Sequence, residues 1–137
     1  MEQTLCIIKP DAVSKGYTGK IIDEMIQAGF IIHGLRKTRL SEIQARSFYK
    51  THEGKHFYEA LVAFMTSGPC VTLALEKENA VEDFRALIGN TDSREAEEGT
   101  IRYKYGEDNR KNAVHGSDSY ENAQKEIAFF FANIDLI

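Results

Sequence analysis

Long apolar runs are missing from the 137 residues: none approaches the roughly 18 to 20 residues that a membrane-spanning helix needs. No association with a membrane is expected. Cysteine is scarce as well. Cys6 and Cys70 sit in apolar, strand-like runs with neither CxxC nor metal-ligand spacing. That excludes a disulfide framework and a cysteine metal site, and reads as two buried free thiols of a cytoplasmic protein. The first residues, MEQTLCIIKPD, carry an acid at position 2 and no basic stretch, so a signal peptide is not expected. With two prolines and no repeat, low-complexity segment or Pro/Gly-rich linker, residues 1–137 read as one domain, long enough to bury a core. Basic charge is also in deficit. The net charge of −4 argues against a protein dedicated to nucleic acid.

Nucleotide fingerprints of the common kinds are absent too. There is no GxGxxG, and GYTGKI (16–21) has its glycines too close and lacks the Ser/Thr after lysine that a P-loop needs. Any nucleotide must be held by dispersed side chains. One metal motif is present in letters: HEGKH (52–56) matches the HExxH of zinc hydrolases, which needs both histidines on one helix face. Gly54 between them costs a helix about 1 kcal/mol relative to Ala, and no third ligand follows. A turn between two helices is the better reading.

What remains has a regular order. TLCIIK (4–9) reads as a buried strand, and GKIIDEMIQAGF as a helix burying Ile22, Met25 and Ile26 and stopping at Gly29. FIIHGLRKTRL (30–40) reads as an edge strand. Ser41 caps a helix running to about Lys50, a second helix spans about 56–66, and CVTLALE (70–76) is the next strand. A helix over 79–89 closes on Gly89. A long loop from Asn90 to Lys111 follows, then a short strand at 112–115 and a helix over about 120–131 burying Ala123, Ile127 and Phe130 or Phe131. A β-α-β-β-α-β core of this kind points to an α/β, ferredoxin-like sandwich, with a four-stranded antiparallel sheet covered by helices. The charge is uneven: 76–98 holds eight acids against three bases, whereas 102–111 holds four bases against two acids, enough for a small anion site.

The stretch NAVHGSDSY (112–120) carries the chemistry. A strand-like step ends on His115 and turns at Gly116 into small polar residues, an exposed setting in which a structural histidine gains nothing. IIKPDAV, GKIIDEMIQAGF, FYEALVAFMTSGP, TIR and NAVHGSDS together resemble the nucleoside diphosphate kinase family, in family order from Thr4 to about Phe131, with the N-x-x-H-G-S-D motif intact at 112–118. The resemblance implies transfer of the terminal phosphate of a nucleoside triphosphate to a diphosphate, with Mg²⁺ on the phosphates and His115 as nucleophile. It further implies that Lys9 touches phosphate and ribose and that Tyr49 lies near the histidine. Phe57 would stack on the base. Arg85, Thr91 and Arg102 would hold the phosphates, Asn112 would bind the ribose, and Ser117 and Glu126 would support the histidine. A non-catalytic, nucleotide-binding regulatory relative is the alternative, and the intact His115 argues against it.

Residue chemistry agrees. Arg suits planar capture of phosphate oxygens, Gly116 lets a triphosphate approach the backbone, and an aromatic platform accepts many bases. On a straight helix Ser117 and Glu126 would lie roughly 13 Å apart, so an irregular turn near 118–121 is expected if both reach His115. The resemblance also implies homo-oligomers, with dimers joined along strand 30–40 and associating into tetramers or hexamers. Two departures bear on assembly: Ser93 and Glu98 stand where relatives often carry loop prolines.

Overall fold

A computed structural model describes all of residues 1–137. Strand β1 (Glu2–Ile8) is flanked on one side by β3 (Cys70–Lys77) and on the other by β4 (Val114–Gly116), and β2 (Ile31–Thr38) completes the sheet beyond β3. All pairings are antiparallel, in the order β2-β3-β1-β4. This is the expected ferredoxin-like sheet. The apolar run of β1 follows from its central place: Cys6 and Ile8 enter one core layer, Leu5 and Ile7 the other, and all four are fully buried.

On the first face lie α1 (Pro10–Ser14), α2 (Thr18–Gln27), α5 (Ala80–Ile88) and α6 (Ile101–Tyr105), gathered around Met25, Phe84 and Ile101. Burying a side chain the size of Phe84 contributes about 1.5–3 kcal/mol. On the second face lie α3 (Glu42–Phe48), α4 (Tyr58–Met65) and α7 (Tyr120–Phe130) around Met65, Ile127 and Phe130. Arg46 bridges Glu42 and Glu59 at 3.0 and 2.7 Å and holds α3 against α4. The Ser41 cap is present as a capping box with Gln44.

The structure departs from the sequence reading at four places. Helix α2 buries Ile21 and Met25, four residues apart on one face, whereas Ile22 is half-buried and Ile26 exposed. Helix α1, with Pro10 at its first position, follows directly on Lys9; five residues are too short for periodicity to register. The stretch 90–111 is not a bare loop: it contains a 3₁₀ turn at Ser93–Glu95 and α6, whose Ile101 is fully buried. Finally, β4 begins at Val114 rather than 112. Across 52–56, a 3₁₀ turn ends at His52 and Gly54 has φ +87°, so HEGKH bends between α3 and α4 rather than forming one helix. Cys6 and Cys70 are buried free thiols. No helix is long and apolar enough to cross a membrane.

Candidate active site

His115 is the middle residue of β4, half-buried, opposite Ile7 of β1. After Gly116 the chain turns irregularly through Ser117 and Asp118. Ser119 then caps α7, its hydroxyl accepting from the Asn122 amide at 3.1 Å. That bend brings α7 back over the strand end, as the spacing of Ser117 and Glu126 required. Glu126 Oε1 accepts from His115 Nε2 at 2.7 Å and from the Ser117 hydroxyl at 2.8 Å. Ser117 in turn accepts the Leu5 amide at 3.2 Å, so the carboxylate is anchored through one hydroxyl to the central strand. With Nε2 donating to a carboxylate, the proton of the neutral ring resides there and the lone pair belongs to Nδ1. The Phe48 ring stands edge-on to the imidazole, centroids 5.6 Å apart, and limits its swing.

A second group gathers where β1 ends. Lys9 Nζ donates to Asn112 Oδ1 at 2.9 Å, and Asn112 Nδ2 donates to the Thr91 carbonyl at 2.8 Å. Arg102 on α6 is held by two carbonyls, Gly89 at 3.0 Å and Val114 at 2.9 Å, while its buried Nε has no partner. Burial lowers the Lys9 pKa to about 8, Arg102 pushing the same way against Asp11 and Asp108. Burial also lowers that of Arg102 to about 10, helped by Arg85, which extends from α5 into solvent. Burial is the main cause of both shifts, and a neighbouring cation adds to each.

Phe57 caps α4, half-buried, with Lys55 Nζ 5.8 Å from its ring centroid and the ring centroids of His52 and His56, set edge-to-face, 5.2 and 5.5 Å away. Tyr49 is buried against Phe48, and its hydroxyl has no partner. A cleft of about 370 Å³, lined by Ser14, Lys15, Phe64, Ser67 and Glu107 among others, contains none of the residues expected to act.

Comparison with known proteins decides what this arrangement belongs to. The family model for nucleoside diphosphate kinase matches residues 2–136. The chain belongs to the nucleoside diphosphate kinase family. Nucleoside diphosphate kinases from Chlorobium limicola and a Nitratiruptor species are 51% and 53% identical to it over the full chain, which covers 98% and 100% of their lengths. The solved nucleoside diphosphate kinase of Aquifex aeolicus superposes with a TM-score of 0.98 at 46% identity, covering 99% of both chains. The halophilic enzyme of Halobacterium salinarum, solved in complex with CDP, gives 0.96 at 38% identity, covering 99% of this chain and 91% of that one.

Within this phosphotransferase family the residues expected to act fall into two clusters. His115, Ser117 and Glu126 form one, with Tyr49 reached through Phe48. Lys9, Arg85, Thr91, Arg102 and Asn112 form the other. Phe57 stands apart, linked to the first through His52, whose ring stacks at 6.4 Å on Tyr49. Sequence reasoning missed Phe48 and His52. Phe48 carried no signal beyond helical spacing, and His52 was absorbed into the HEGKH turn. Burial lowers the pKa of His52, with Lys55 and His115 adding to the effect and Asp118 opposing it.

Proposed function

We propose that the chain moves the terminal phosphate of a nucleoside triphosphate onto a nucleoside diphosphate in two half-reactions, through a phosphohistidine on His115. One observation carries this reading. Glu126 holds Nε2 at 2.7 Å, so the ring presents Nδ1, with its lone pair, as the nucleophile. In the first half-reaction Nδ1 attacks the γ-phosphorus. The N–P bond forms as the bond from phosphorus to the β,γ-bridging oxygen breaks, and the diphosphate leaves with that oxygen. In the second, a terminal β-phosphate oxygen of another diphosphate attacks the same phosphorus, and the N–P electron pair returns to Nδ1.

Such a transfer is mostly positioning and charge stabilisation. Lys9, Arg85, Thr91 and Arg102 hold the phosphates. The buried Nε of Arg102 and hydroxyl of Tyr49 have no partner within the chain. Asn112 meets the ribose, Phe57 stacks on the base, and Ser117 and Glu126 hold the histidine. Mg²⁺ fits as an ion that arrives on the nucleotide. The lining is cationic, and no three His, Cys, Asp or Glu side chains converge on one point, so phosphate oxygens would be its main ligands. When bound, it neutralises part of the phosphate charge.

The whole chain, 1–137, acts as one such domain, in the cytoplasm, without a membrane or a dedicated nucleic-acid partner. The unit is a homodimer paired through β2. That strand is an edge of the sheet, and its Ile31 and Leu35 are 51% and 53% exposed, so pairing would satisfy its free backbone groups and shield both side chains. Dimers associate further into tetramers or hexamers.

Incubation with γ-³²P-labelled ATP tests the chemistry. The chain should take label that is lost in acid, survives alkali and is chased by unlabelled diphosphates. Label that resists acid would place the phosphate elsewhere.

A further inference from the structure

Two residues before His115 the backbone does something costly. Ala113 has φ +71°, a region that residues with a Cβ rarely enter. The Val114 amide donates back to the Asn112 carbonyl at 2.8 Å, two residues away. Residues 112–114 therefore form a γ-turn of the positive-φ kind, which is rare and strained. Such a turn persists only where its surroundings hold it, and strain of this sort gathers at functional sites.

The hold comes from the corner between β1 and α1. The Ala113 amide donates to Asp11 Oδ2 at 3.1 Å, and its carbonyl accepts the Lys9 amide at 2.8 Å. Lys9 Nζ takes the neighbouring Asn112 side chain at 2.9 Å. Asp11 itself is only 8% exposed, and its other oxygen, Oδ1, is buried without a partner. Burial raises its pKa, and the Ala113 amide is the largest of the contacts opposing that rise. A half-satisfied buried carboxylate is costly to keep. Asp11 has no hydrogen bond to His115, Arg102 or Asn112, and toward the phosphate cluster it acts only through its charge, which helps Lys9 keep its proton. Its partner is the amide of the strained residue.

We propose that Asp11 is a positioning residue: by gripping the Ala113 amide it holds the 112–114 turn in its strained form and so sets where Asn112 and His115 stand. The inference rests on His115 as the phosphate acceptor. Asp11 never touches the nucleotide. The turn is the two-state element between them, and glycine at 113 would adopt the same backbone without help.

Rapid-quench labelling with γ-³²P ATP tests this, with fold checked by circular dichroism. Asp11→Ala should slow phosphohistidine formation about 10²-fold, the loss expected of a displacement near 1 Å. Asp11→Asn, whose amide oxygen still accepts, should keep most of the rate. Ala113→Gly should label like wild type, and Asp11→Ala/Ala113→Gly should recover most of what Asp11→Ala loses, which a merely structural role for Asp11 would not give. Ala113→Val should be slow with Asp11 intact. An Asp11→Ala enzyme as fast as wild type would overturn the inference, as would a double variant no faster than the single one. Should Asp11→Ala fail to fold, Ala113→Val decides alone: a folded, fast Ala113→Val overturns the proposal. A wild-type chain that takes no label, or a His115→Ala chain that takes as much, overturns the His115 reading and this inference with it; the Asp11 outcomes overturn only the latter.

Discussion

His115 and Glu126 meet at 2.7 Å, Nε2 to Oε1, although α7 must double back over the strand end to bring them together. One carboxylate oxygen thereby fixes both the tautomer and the heading of the ring. His115→Ala should abolish transfer while leaving fold and nucleotide binding largely intact. Glu126→Ala should slow phosphoenzyme formation about 10²-fold by freeing the ring to turn. Single-turnover labelling measures both. A Glu126→Ala chain as fast as wild type would show that Phe48 alone orients the imidazole.

Phe57 offers a π-face and no base-edge reader. Phe57→Ala should raise KM about tenfold for every nucleobase, in line with the 1–3 kcal/mol that stacking contributes. Because Phe57 also packs against the second core layer, the melting temperature should fall somewhat. Steady-state kinetics with adenine, guanine, cytosine and uracil diphosphates check this. A loss confined to purines would mean that an edge contact reads the base.

Lys9 gives the free enzyme a pH signature. Its pKa lies near 8 when folded and near 10.5 ordinarily. Below pH 8 it is charged in both folded and unfolded chains. Between about 8 and 10.5 the unfolded chain holds a proton that the folded one has released, so this group's contribution to stability rises with pH across that window. Nucleotide binding responds the other way. Phosphates favour charged Lys9, so diphosphate affinity should weaken as pH climbs through 8. Calorimetric titration from pH 7 to 9.5 reads this directly, and an affinity flat across that range would contradict the burial argument.

Assembly should depend on salt. Glu95, Glu97 and Glu98 are exposed in the 90–111 segment, through which dimers would join further. Bringing three such segments to a three-fold axis crowds like charge, which salt screens. A stable dimer is expected at low ionic strength, with the higher oligomer appearing as salt rises. Sedimentation at both extremes measures it. A monomer at low micromolar concentration would remove the dimer, and a hexamer indifferent to salt would remove the argument from the acids.

The legible parts of the fold were those whose signals are local. The run at β1, the Ser41 cap and the Gly89 stop each announce themselves within a few residues. Helix α6 does not, because it depends on the carbonyls of Gly89 and Val114 gripping Arg102 and on the burial of Ile101, all supplied by tertiary structure. The buried face of α2 is not legible to the residue, since Ile21, Ile22 and Ile26 are chemically alike and only packing chooses among them. In the site, the HGSD stretch points to His115, and helix geometry requires a turn beyond Ser117; it lies at 117–119, a little earlier than 118–121, because α7 already starts at Tyr120. The Asp11–Ala113 bond spans 102 residues and involves an amide, which no side-chain pattern can display. Phe48 was hidden for a related reason: its contact with His115 crosses from one helix to another strand.

Cys6 on β1 and Cys70 on β3 point into opposite core layers, with no accessible sulfur chemistry while the chain is folded. Burial pushes the Cys70 thiol up to about 11 and Cys6 higher still, so neither forms the thiolate that alkylating reagents attack. The native protein should therefore ignore iodoacetamide at neutral pH, and each molecule that is modified must first have opened. Modification rate at saturating reagent then counts opening events, with Cys6 on the central strand reporting global opening. The two thiols make the chain its own unfolding clock. A rapid reaction at Cys6 under native conditions would mean that the middle of the sheet breathes.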